Sequence, residues 1–247
     1  MSNFGDYPNR MAGRTATSSS AIDEGLRAYM LKVYNLMALG LAITGVAAYL
    51  TFQFAVVDGQ LTTFGQAIFL SPLRWVVMLA PVALVFFMSF RIEKMSVSAA
   101  QMTFWIYAAL MGLSLSSIFL IYTGQSIVQT FFITAASFGA LSLYGYTTKR
   151  DLAPMGSFLI MGLFGLIIAS VVNLFLASSA LTFAISAIGV LIFAGLTAYD
   201  TQSIKESYYE SDGAETAGRK AIIGALRLYL DFINLFLFML RFLGNRN

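Results

Sequence analysis

Leu226-Arg-Leu-Tyr-Leu-Asp-Phe-Ile-Asn-Leu-Phe-Leu-Phe-Met-Leu-Arg-Phe-Leu-Gly244 is long and apolar enough to cross a bilayer, yet it carries Asp231 near its middle. An ionisable group at that depth is expensive, and it is read as functional unless a structural partner explains it. Gly224, Arg227, Asp231 and Asn234 recur at helical spacing and so fall on one face. The other faces are almost wholly Leu, Ile, Phe and Met. A helix apolar all round except for one narrow polar stripe belongs inside a bundle, with the stripe facing a cavity or another helix.

The rest of the chain supplies such a bundle. Of its 247 residues 58% are hydrophobic and only 11% charged, against about 25% charged in soluble domains. Seven apolar stretches approach the ~20 residues a spanning helix needs. They lie near 31–52, 73–91, 99–121, 127–147, 155–177, 181–200 and 221–243. The expected fold is an all-α membrane protein, a seven-transmembrane helix bundle with the last helix central. Residues 1–26 are polar and read as a flexible amino-terminal tail, and residues 27–247 as the membrane domain. With the amino terminus inside, Arg10, Arg14, Arg27, Lys32, Arg91, Lys94, Lys149, Arg150, Lys205, Arg219, Lys220 and Arg227 fall on the cytoplasmic side, 12 of the 15 Lys and Arg. Arg74, Arg241 and Arg246 are the exceptions, so the net charge of +3 reports topology rather than nucleic-acid binding. The last segment is long enough for a full crossing.

Composition also removes chemistry. No cysteine means no disulfide and no thiolate metal site; no histidine means no imidazole zinc site and no Ser-His triad. Any pH response near neutrality falls to carboxylates.

Only Asp200 and Asp231 lie well inside apolar segments. Spans six and seven form a hairpin about Gly213. If span six continues as helix beyond Asp200, the two acids reach similar depth. Two carboxylates in a low-dielectric site share a proton and titrate as a pair. One proton ties the helices together; its loss leaves two charges that repel or take up a hard cation. Asp200, Asp231 and Asn234 supply oxygens for a weak calcium site, with Arg91 and Arg227 as latches. The structural alternative pairs Asp231 with Arg227 and Asp200 with Arg91 as buried ion pairs. Tyr199 and Tyr229 are candidate donors to the carboxylates. Asn173 and the Ser114, Ser116 and Ser117 group are expected to bond between helices. Gly40, Gly45, Gly112, Ser116, Gly162, Gly165 and Ala169 mark close helix packing.

Leu-Tyr-Leu-Asp-Phe-Ile-Asn-Leu-Phe at 228–236, continuing to Leu-Arg-Phe-Leu-Gly at 240–244, resembles the closing signature of the Bax inhibitor-1 (transmembrane Bax inhibitor motif) family. Tyr-Asp-Thr-Gln-Ser-Ile at 199–204 is similar to that family's signature at the end of the sixth span, and the short form resembles its bacterial branch. The resemblance implies six helices around the last, in a multi-pass protein of the bacterial inner membrane. It implies a pH-sensitive calcium leak controlled by Asp200 and Asp231, with Arg91 at the inner end of span two. Some relatives carry an acid within span two; 75–90 here contains none. The family is also linked to cell-death suppression and to a membrane-bound protease.

Three readings follow. The first is a calcium leak channel conducting calcium and protons across the lipid bilayer. The second is an interaction protein that modulates a membrane-bound protease or stress response without conducting ions. The third, an intramembrane aspartyl protease, lacks the Gly-Asp context before Asp231, so no enzyme and no cofactor are expected. The oligomeric state is not written in the sequence.

Overall fold

The computed structural model describes the backbone of residues 7–247 and the side chains of residues 24–247. Helix α1 (Tyr7–Ala55) is followed by a two-stranded ribbon, β1 (Val56–Val57) and β2 (Gln60–Leu61), and by the short α2 (Thr63–Phe69). Then come α3 (Leu73–Arg91), α4 (Val97–Leu115), the four-residue α5 (Ile118–Ile121), α6 (Gly124–Thr147), α7 (Ala153–Leu176), α8 (Ser179–Glu206) and α9 (Ala214–Leu243). Among the described residues seven segments are long and apolar enough to span, with α4 and α5 together forming the third. The chain is a multi-pass membrane protein. Each expected span matches one of the seven, though the fifth, expected to reach 177, ends at Leu176, where Ala177 turns left-handed and stops the helix. Span six, expected to stop at 200, runs on to Glu206 and so keeps Asp200 in helix.

The tail expected at 1–26 meets the structure only in part. Residues 1–6 lie outside the described residues, and α1 is helical from Tyr7. Its apolar, membrane-length part is Glu24–Ala55. Side-chain caps start three of the spanning helices: Ser96, Thr123 and Ser178 accept from the amides of Ala99, Ser126 and Leu181.

Helix α9 is the most buried and packs on α1, α4, α6 and α8. Its core residues Leu228, Tyr229 and Leu235 are fully buried. Four helices therefore flank the last one directly. Helices α3 and α7 stand in an outer layer, α3 packed chiefly on α4 and α7 on α8. Tyr107, Phe104 and Tyr229 pack edge to face, and Thr44 joins α1, α4 and α9 through Tyr229 Oη at 2.6 Å and the Ala108 carbonyl at 2.9 Å. Hydroxyl pairs of this kind tie helices together where lipid offers no hydrophobic drive.

Two packing expectations need correction. The serines of span three do not bond between helices. Ser116 Oγ donates to the Leu113 carbonyl at 2.7 Å and Ser117 Oγ to that of Ser114 at 3.4 Å, where α4 breaks before α5. A serine that bonds back to its own turn competes with the helix ladder. Of the glycines, Gly112 allows close approach: a Cβ there would lie 2.4 Å from the Thr44 carbonyl oxygen. Gly45 and Gly165 have no such neighbours.

The last segment runs the full length of the bundle. Helix α9 is unbroken for 30 residues, and its far end reaches the link between α5 and α6. There Thr123 N donates to the Asn245 carbonyl at 3.0 Å, Asn247 N to that of Ile121 at 3.0 Å, and Asn245 N to Ser126 Oγ at 2.9 Å.

Candidate functional site

Helices α8 and α9 run antiparallel. Gly189 meets Phe238, Ile204 meets Gly224, and Lys220 Nζ donates to the Ser207 carbonyl at 3.0 Å. That register brings Asp200 level with Arg227 and within about one turn of Asp231. The carboxyl groups of Asp200 and Asp231 are close enough to act on each other. Arg227 is close enough for its charge to act on both. Asp231 is only 4% exposed, and its Oδ2 has no donor among the described residues.

Neither acid is held in a salt bridge among the described residues, whose ion pairs are Arg219–Glu215 at 3.4 Å and Lys220–Asp212 at 2.6 Å. The purely structural reading, each acid paired with its own arginine, is therefore not what the fold builds. Arg91 lies exposed at the end of α3 and makes no ion pair with Asp200. Arg227 occupies the place beside the acids. Tyr229 turns to Thr44 rather than to a carboxylate, and Tyr199 packs over Gly156. Asn234 fixes its amide on its own helix, with Nδ2 donating to the Leu230 carbonyl at 2.8 Å.

The acids open on a cavity of about 1000 Å³ bounded by α3, α7, α8 and α9. Arg227, Asp231, Asn234, Phe238 and Arg241 line it along one stripe of α9, so the polar face read from the sequence is the cavity wall. Opposite stand Val82, Val85 and Phe86 of α3 and the aliphatic face of α7. From Arg227 to Arg241 the stripe covers about 21 Å, most of the ~30 Å hydrocarbon thickness. At its far end Asn173 Nδ2 donates to Thr182 Oγ1 at 2.7 Å and its Oδ1 accepts from Ser178 N at 3.1 Å, so Asn173 closes the α7–α8 hairpin. Asp200, Asp231 and Asn234 offer only a few of the oxygens calcium takes. No cluster of three or more His, Cys, Asp or Glu groups exists among the described residues.

Gln202 escaped sequence reading. It is 5% exposed; its Nε2 donates to the Arg150 carbonyl at 2.8 Å and its Oε1 accepts from Leu152 N at 2.8 Å. The side chain thus clamps the α6–α7 link to α8, two residues from Asp200. Gln202→Ala leaves two backbone groups without that partner and is expected to cost about 2 kcal/mol. Thermal unfolding in detergent should show the drop.

Fold and site together define a seven-helix membrane protein with two acids between its last two helices, Asp231 buried and Asp200 half-buried, opening on an intramembrane cavity. The chain belongs to the Bax inhibitor-1 family: the family described as "Inhibitor of apoptosis-promoting Bax1" matches residues 26–247. It is 54% identical over 243 residues to "Uncharacterized protein RP147" of Rickettsia prowazekii, covering 98% of each chain. It is 48% identical over 224 residues to "Inner membrane protein YbhL" of Escherichia coli, covering 90% of this chain and 93% of that one.

Proposed function

We propose that this protein is a passive, pH-sensitive calcium leak whose passage is set by protonation of the Asp200–Asp231 pair. One observation carries the reading: a buried carboxyl oxygen without a donor faces a second carboxyl at the end of a long intramembrane cavity. A single proton shared between the two acids supplies the missing hydrogen bond and ties α8 to α9. When the proton leaves, two like charges meet in a low-dielectric site and are relieved by separating or by a divalent cation. Three oxygen-bearing side chains suit brief residence rather than tight storage, which a conducting site needs. The likeness to YbhL supports residence in the bacterial inner membrane, and the distribution of basic residues supports a cytoplasmic amino terminus.

Purified protein in calcium-loaded liposomes tests the proposal. Calcium efflux is expected to rise as pH rises through the range in which the pair loses its shared proton. Efflux equal to that of protein-free liposomes at every pH refutes it.

A further inference from the structure

Arg241 is the anomaly of the cavity. Of the residues lining that space only Asp200, Arg227, Asp231 and Arg241 are charged. The two acids and Arg227 sit together at one end. Arg241 stands alone at the other, about 15 Å beyond Asp231 along the helix axis. It makes no salt bridge among the described residues, and its guanidinium lies 5.6 Å from the centre of the Phe238 ring, itself a wall residue. Arg74 and Arg246, the other basic residues at this end, do not line the cavity.

Resting on the leak reading, we infer that Arg241 is an electrostatic barrier at the far mouth, which holds down the rate at which divalent cations pass between the outer solution and the acid pair. A fixed positive charge repels a divalent ion twice as strongly as a monovalent one, so the same residue sets the preference between them. The neighbouring groups at that mouth, Asn173 and Thr182, are neutral and engaged with each other.

Calcium efflux from liposomes tests this with Arg241→Gln, Arg241→Glu and Arg241→Lys, each first checked for an unchanged melting temperature. At about 10 mM salt, where charges act over ~30 Å, Arg241→Gln is expected to raise efflux about three- to tenfold and Arg241→Glu more, with Arg241→Lys at the wild-type rate. At about 1 M salt, where the range is ~3 Å, the three variants should converge on wild type. A packing role would survive salt; a barrier does not. Wild-type efflux with an unchanged or slower Arg241→Gln rate, or a gain that persists at high salt, overturns the inference alone. Wild-type protein that passes no calcium overturns the leak reading and this inference with it.

Discussion

Asp231→Asn and Asp200→Asn should each flatten the pH response of calcium efflux, bringing the ratio of rates between about pH 8 and pH 6 from well above one to about one. An asparagine amide donates where the shared proton would, so each variant imitates the singly protonated pair at every pH. Both are expected to stay at the low-pH rate of the wild type. Because Asp231 Oδ2 is buried without a donor, an amide in either position satisfies an atom that otherwise lacks a partner. The substitutions should therefore leave thermal stability unchanged or raise it slightly, which separates a lost gate from a broken fold. If the acids serve only as polar glue, efflux keeps its pH dependence in both variants. Stopped-flow efflux with an encapsulated calcium indicator distinguishes the outcomes.

Gly145→Leu should be the most damaging single change in the bundle. A Cβ at position 145 would lie 2.1 Å from the Ala198 carbonyl oxygen, 2.9 Å from its carbonyl carbon and 3.0 Å from its Cα. All three are backbone atoms of α8, which no rotamer change relieves. The helix carrying Asp200 must move or the bundle must open, at a cost of about 3 kcal/mol or more. Gly139→Leu, on the same helix with nothing within 4 Å, is the control and should be close to neutral. Melting in detergent measures both. Equal melting temperatures for the two would show that α6 and α8 do not approach as closely as described.

The centre of this fold was legible because a period of 3.6 residues lays Arg227, Asp231 and Asn234 on one stripe while apolar residues fill the remaining surface. Hairpin geometry brought Asp200 to the same depth, and the run of helix to Glu206 made that reasoning hold. What was not legible depends on how far helices stand apart. The separation of α3 and α7 from α9 creates the cavity, and no local pattern in either segment announces it. Arg241 read as a topology exception because its meaning lies in the space it faces. Gln202 sits in the signature at 199–204, but its partners are backbone groups about fifty residues away in sequence, invisible to composition. Arg91 was named for its place at the end of span two, yet the register of α8 on α9 puts Arg227 beside the acids.

The end of α5 at Ile121 leaves carbonyls at the end of the third span without helical partners, and Asn247 supplies them, through its amide to Ile121 and its side chain to Phe119 and Tyr122, at 3.0, 3.4 and 3.4 Å. A ribosome delivers the chain in order, so those partners emerge 125 residues or more after the carbonyls of Phe119 and Tyr122. The third crossing is thus left unfinished until the seventh has been made, so the bundle's midsection is sealed only after its central helix is in place.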